Sequence, residues 1–175
     1  MDETALIGID WGSSSVRVMR IARDGRVLAV RRADDGVFSA SGGYAERLLR
    51  HLEGWKNAPI LLCGMIGSDR GWRHAPYVPA PASLDAIARA LVHVPQLANA
   101  YIVPGVSARD YDSAEVMRGE GTIALGFIAK TFVKEALLCL PGPPSKWLRV
   151  KDGRIAGLRT PMTGERRTLR WAHGT

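Results

Sequence analysis

The sequence predicts an α/β domain on a mixed sheet that opens with three antiparallel strands. Residues 4–33 read as three short β-rich runs, and Asp24-Gly25 between the second and third is a strong hairpin signal. After residue 44, helical and strand patterns alternate, as in helices packed on a sheet. The composition, 46% hydrophobic and 23% charged over 175 residues, excludes global disorder and supplies a core for one good-sized domain.

Each element has its own signal. TALIGID (4–10) is short and β-branched. SVRVMRIAR alternates apolar and basic residues from Val16 to Ile21, a strand with one wet face, and RVLAVRRA is the third strand. GGYAERLLRHLEGW places Tyr44, Leu48, Leu49 and Leu52 on one helical face, and Gly54 can end that helix. The continuous apolar run APILLCGMIG reads as a buried parallel strand. SDRGWRHAPYVPAPAS is a long loop punctuated by Pro and Gly, and long ordered loops tend to carry function. Ser83 caps a second helix, LDAIARALVHV, and AYIVPG is a further strand. SAEVMRGEGTIALGFIAKTF begins as a loop and becomes a helix. A strand (EALLCL), a Pro-Gly loop and a hairpin turning at Asp152-Gly153 follow. The predicted order, β-β-β-α-β-α-β-α-β-β with helices packed on the sheet, is that of a ribonuclease-H-like, actin-type ATPase domain.

Bulk properties narrow the partners. The formal net charge is +7 and comes mainly from arginine. The arginines are scattered and not interleaved with aromatics, which argues against nucleic acid and suits an anionic small molecule. The longest apolar stretch, around Pro59 to Ile66, is too short for a bilayer, so no membrane association is expected. No basic segment accompanies Asp2 and Glu3, and no secretory signal is expected. Cys63 and Cys139 lie in apolar runs and read as reduced core cysteines of a cytoplasmic protein.

One stretch carries chemistry. In IGIDWGSSSVR (7–17) a carboxylate ends a strand and a Gly-Ser turn follows. If the chain turns sharply at Gly12, the N–H groups of Ser13, Ser14 and Ser15 can converge on phosphate oxygens. Gly12 has no side chain to keep a phosphate away. Asp10 would then face a hydrated Mg²⁺. An ordinary hairpin in which Asp10 caps its own turn explains the same spacing, and the spacing alone leaves both readings open.

IGIDWGSSSVRV, LCGMIGSDRGWRHAPYVPAPA, EVMRGEGTIALG, CLPGPPSKWLRVKDGRI and TPMTGE together resemble the 2-keto-3-deoxygalactonokinase family, in the family's order, from residue 5 to about 165. The resemblance implies a sugar-acid kinase of the actin-like ATPase superfamily. It would use ATP and Mg²⁺ to phosphorylate the 6-hydroxyl of 2-dehydro-3-deoxy-galactonate. On that reading Asp10 organises the metal and Gly12, Ser13, Ser14 and Ser15 hold the transferred phosphate. Gly142, Ser145 and Lys146 form a second phosphate loop. Glu120 resembles the acid that opens a helix at the catalytic base of related sugar kinases. A first-turn glutamate favoured by the helix dipole is the plain alternative for Glu120. Arg70 and Arg73 are candidates for the substrate carboxylate, with Arg118 as a second partner. Trp72 and Tyr77 are candidates for packing against the ligand's carbons, although a Trp in this loop is also an ordinary buried anchor. Arg17 reads as solvated, and the four histidines share no metal or triad spacing.

Three departures from the family pattern qualify the resemblance. The family's second phosphate loop usually reads Pro-Gly-Thr-His-Ser-Lys, whereas Pro143 and Pro144 here remove two backbone donors. Gly121 stands where a second glutamate is usual, Glu115 replaces an aspartate, and His74 stands where Glu is common. After MTGE the family continues with an apolar helix and a second domain, while here a basic tail, residues 166–175, follows. The expected organisation is therefore an N-terminal kinase domain over 1–165 and an atypical tail, with the second lobe missing. Impaired activity and self-association through the face that lobe would cover are expected. Two other readings compete. One is a non-catalytic fragment that binds a sugar acid weakly. The other, ranked third, is a ribonuclease-H-like nuclease, for which the later strands offer no converging carboxylates.

Overall fold

Three antiparallel strands do open the chain. A computed structural model describes residues 3–39, 42–55, 58–110, 113–142 and 144–161. The chain divides into two compact units: Met1–Pro76 with Ala88–Gly105, and Tyr77–Ile87 with Val106–Thr175.

Unit 1 is built on a six-stranded mixed sheet. Strands β1 (Thr4–Trp11), β2 (Val16–Ala22) and β3 (Val27–Ala33) run antiparallel. Helix α1 (Tyr44–His51) follows, and β4 (Ile60–Cys63) then pairs parallel with β1. The sheet order is β3-β2-β1-β4-β7-β6, with β6 (Val92–His93) and β7 (Ala100–Ile102) at the far side. Strand β1 is thus interior, flanked by β2 and β4. Its alternate residues Ile7, Ile9 and Trp11 are buried, as are Val16 and Val18 of β2, and they share a core with Leu48, Leu62 and Ile102. The Asp24-Gly25 turn forms as the sequence implies: Gly25 has φ 84°, and the Asp24 carboxylate accepts from the Arg26 N–H at 2.9 Å.

Unit 2 carries two small sheets. Strands β5 (Val78–Pro79), β8 (Val106–Asp110) and β9 (Ser113–Met117) form one, and β10 (Ala136–Leu140), β11 (Lys146–Lys151) and β12 (Arg154–Arg159) the other. The last two strands turn at Asp152 and Gly153, both with positive φ (53° and 69°), the backbone an Asp-Gly hairpin turn adopts. Helix α3 (Glu120–Thr131) buries Gly121, Ala124, Leu125 and Ile128, one helical face. Helix α2 (Leu84–Arg89) is capped by the Ser83 Oγ, which accepts from the Ala86 N–H at 3.1 Å. No helix among the described residues is long and apolar enough to cross a membrane.

Four expectations need correction. Helix α2 stops at Arg89 and does not run through LVHV, because β-branched Val92 pairs antiparallel with Ile102. Residues 113–117 form strand β9, not a loop: pairing with β8 supplies a partner that the short stretch SAEVM, leading into a Gly-rich turn, does not announce. Leu49 is 53% exposed, since the face of α1 that meets the core runs through Tyr44, Leu48 and Leu52, and Leu49 lies about 100° around from Leu48. Cys139 is exposed, because alternation along β10 turns it away from the packed face of its sheet; Cys63 is half-buried.

Candidate functional site

Asp10 sits at the carboxyl end of β1, opposite Arg17 of β2 and beside Cys63 at the end of parallel β4. This is the end of an α/β sheet at which ligands gather. In the same ladder Arg17 lies opposite Arg32 of β3, so Asp10, Arg17 and Arg32 form one cross-strand row. Together with Gly12, Ser15 and Asp34 they line a cavity of about 380 Å³. Among the described residues, none of the four charged side chains of this cavity is hydrogen-bonded or ion-paired. Two like charges opposite one another on neighbouring strands repel, and an anion between them would relieve that.

The turn after Asp10 is tight. The Gly12 N–H donates to the Ser15 carbonyl at 2.9 Å, and Ser13, Ser14 and Ser15 are exposed. The turn rests on the segment after β3. Val37 N–H donates to the Gly12 carbonyl at 2.9 Å, and Phe38 N–H to the Ser13 carbonyl at 3.0 Å. Gly36 lies so close beneath that a Cβ there would fall 2.2 Å from the Ser13 oxygen and 2.3 Å from Ser14 backbone atoms. Gly64 makes the same kind of approach from β4: its φ is 95°, and a Cβ would lie 2.6 Å from the Trp11 oxygen and 3.3 Å from Asp10 Oδ1. Among the described residues, no acceptor takes the N–H groups of Ser13 and Ser14.

The remaining candidates fall into separate groups. In unit 1 the Arg70 guanidinium stacks on Phe38 at 4.1 Å, and Arg73 is exposed. Trp72 is half-buried, packs against the core and stacks on Tyr44 (centroids 6.2 Å apart). In unit 2 the Arg118 guanidinium lies over the Tyr77 ring at 4.3 Å, so these two are brought together. Glu120 is the first residue of α3 and accepts the Arg118 N–H through Oε2 at 3.0 Å. The Lys146 ammonium donates to the Val116 carbonyl (2.8 Å) and to Thr160 Oγ1 (3.0 Å), using two of its three protons. Ser145 Oγ donates to the Gly142 carbonyl at 3.3 Å, closing the loop on itself. Pro143, residues 162–165 of TPMTGE and the tail 166–175 lie outside the described residues.

The sequence reading passed over Arg32, Asp34, Gly36 and Gly64. The doublet Asp34-Asp35 followed by glycine was the available signal, since an acidic pair before Gly marks a turn. That this turn folds under residues 12–15 depends on contacts distant in sequence.

Comparison with known proteins agrees with the motif blocks. The model of a family described as 2-keto-3-deoxy-galactonokinase matches residues 10–170. A curated Rhizobium meliloti relative named for 2-dehydro-3-deoxygalactonokinase activity is 41% identical over 162 residues, covering 90% of this chain and 53% of the relative. The 2-dehydro-3-deoxygalactonokinase of Escherichia coli K12 is 34% identical, covering 91% of this chain and 54% of that protein. The chain therefore spans about half the length of the curated relatives it matches. Among solved structures, a Sinorhizobium meliloti protein described under the same activity superposes with a TM-score of 0.83 at 38% identity, over 94% of this chain and 56% of that one. An Aquifex aeolicus Ppx/GppA phosphatase superposes at 0.52 with 12% identity, over 95% of this chain and 54% of the phosphatase, a likeness of fold alone.

Proposed function

Because the chain belongs to the 2-keto-3-deoxy-galactonokinase family, we propose that it takes part in the ATP-dependent phosphorylation of the 6-hydroxyl of 2-dehydro-3-deoxy-galactonate. Residues 1–165 are read as the N-terminal part of that kinase, in a ribonuclease-H-like, actin-type fold. One observation carries the reading beyond the family match: a carboxylate at the end of an interior strand, followed by a glycine turn with two N–H groups that no described residue accepts.

The residues fit a nucleotide phosphate with its metal. The Asp10 carboxylate lines a cavity without a described protein partner, and the adjoining turn offers backbone donors. When bound, Mg²⁺ supplies charge neutralisation at the transferred phosphoryl group. Asp10 would hold the metal's water shell, as suits an ion that keeps most of its hydration. Ser13, Ser14 and Ser15 would donate to phosphate oxygens, and Gly12 keeps the approach open. Arg17 and Arg32 add positive charge on the same wall. In unit 2, Glu120 is the candidate to take the proton of the attacking hydroxyl, with its carboxylate oriented by the Arg118 N–H. Gly142, Ser145 and the third proton of Lys146 are candidates for a second phosphate contact. Arg70, Arg73 and Arg118 are candidates for the sugar-acid carboxylate, and Trp72 and Tyr77 for its carbon skeleton. The reading places the work in the cytoplasm, with self-association through the face a second lobe would cover; the exposed apolar residues of unit 2 include Ile123, Phe132 and Leu137.

A coupled ADP-release assay on the chain, with 2-dehydro-3-deoxy-galactonate and Mg-ATP, tests the proposal. Turnover that disappears in Asp10→Asn supports it. Sugar-acid binding without turnover in calorimetry supports the non-catalytic reading instead, and neither binding nor turnover rejects both.

A further inference from the structure

We infer that Arg47, acting through Asp35, is a positioning residue that aims the N–H groups of Ser13 and Ser14 at the phosphate. The inference rests on the kinase reading for the ligand and on unit 1 alone for the geometry.

Among the described residues, Arg47 is the buried charged side chain, 3% exposed, on the inner face of α1. Its Nε donates to Asp35 Oδ1 at 2.9 Å, and Nη2 donates to the same oxygen. Nη2 also reaches the main chain, donating to the carbonyls of Gly36 (2.6 Å) and Asp35 (3.2 Å). One turn along the helix, His51 Nε2 lies 2.8 Å from Asp35 Oδ2. An ionised carboxylate only accepts, so this nitrogen carries the proton. The Arg47 hydrogen bonds, and then that of His51, hold the Asp35 carboxyl below the usual range. Trp11 Nε1 completes the grip by donating to the Asp35 carbonyl at 2.7 Å. Residues 35 and 36 are thereby fixed from a carboxylate, two carbonyls and a helix.

The consequence for the turn follows from peptide geometry. A trans peptide is planar, and its N–H points opposite to its C=O. The Gly12 and Ser13 carbonyls both face Val37 and Phe38, whose N–H groups they accept. The N–H groups of Ser13 and Ser14, across the same two peptide planes, must point away from that segment. Fixing residues 35–38 therefore sets the direction of the two donors. Neither Arg47 nor Asp35 touches the ligand in this scheme. Burying an arginine only to close a loop would be an expensive arrangement, because a lone apolar residue packs as well without the desolvation penalty.

The test uses the full chain and magnesium pyrophosphate as the probe, measured by titration calorimetry, with amide exchange at Val37 and Phe38 as the local readout. Asp35→Asn keeps shape and removes charge, and Arg47→Lys keeps charge and removes the planar fork. The expected result for each is a loss of pyrophosphate affinity of about tenfold, the worth of one charged hydrogen bond. Exchange at Val37 and Phe38 should rise, while exchange at Val103, which donates to Leu62 in the sheet, stays as in the parent. Full affinity in Arg47→Lys, or unchanged exchange at Val37 and Phe38 in both folded variants, overturns the inference and leaves the kinase reading standing. A parent chain that binds no magnesium pyrophosphate, or binds it equally well as Asp10→Asn, overturns both.

Discussion

Strands β1–β2–β3 and β10–β11–β12 are the same local arrangement, three consecutive antiparallel strands in chain order, finished in two ways. In unit 1 the first strand is interior, and Ile9 and Trp11 are about 1% exposed or less. In unit 2 the first strand is an edge among the described residues; Leu137 is 68% exposed, while the opposite face buries Leu148, Val150 and Ile155. Both ladders join their first two strands by a candidate phosphate loop, residues 12–15 and 141–145. The first rests on a packed segment and turns its donors outward. The second closes on itself through Ser145 and carries prolines. The difference teaches that two turns of similar place in a ladder differ chiefly in what is packed behind them, the first resting on residues 36–38.

The comparison can be broken first at the carboxylate. Asp10→Asn should lower turnover on the order of 10³-fold, the scale of removing one preorganised electrostatic contact, and leave the melting temperature unchanged, because the carboxylate has no described partner. Steady-state kinetics beside a thermal melt reads both. Next come the glycines. Gly36→Ala should destabilise unit 1 by about 3 kcal/mol, since the new Cβ meets backbone that cannot yield. Gly157→Ala in β12, where a Cβ has open space, should change stability by less than about 0.5 kcal/mol. Denaturant melts of both variants make the contrast.

A third test uses acid. The Asp35 carboxyl is lowered when folded, so its contribution is complete above the unfolded value near 3.8 and lost as pH falls through the lower folded value. Asp35→Asn should flatten that acid limb, followed by fluorescence of Trp11 beside it, with a stability difference of about 1 kcal/mol at neutral pH. The smallest effect is expected at the open face. Leu137→Lys should leave the melt within about 0.5 kcal/mol and reduce any self-association seen by light scattering. Unfolding of that variant would show the face to be covered.

Much of this was legible in the sequence, for identifiable reasons. Period-2 alternation and Asp-Gly turns announce β1–β3 and the β11–β12 hairpin, because both are encoded within a few residues. The continuous apolar run around Leu62 announces a parallel interior strand for the same reason. Strand β9 was hidden because its Ser-Ala-Glu-Val alternation spans too few residues to stand out and its pairing partner is another segment. Leu49 was misplaced because a leucine pair shows that a helix has an apolar face, but not which of the two faces the core. The candidate site divides in the same way. The acid before a Gly-Ser turn is visible in the sequence, while the packing of Gly36, Asp35 and Arg47 beneath that turn is not.

The sequence by itself determined the opening strands, the closing hairpin, the family and the position of the acid before the turn, because these depend on local spacing and on residue identity. Only the tertiary structure decided what packs behind that turn: the Gly12 and Ser13 carbonyls accept from the N–H groups of Val37 and Phe38. The physical reason is that the direction of a backbone N–H is set by what its carbonyl neighbour bonds to. Here those partners, Val37 and Phe38, come from more than twenty residues away.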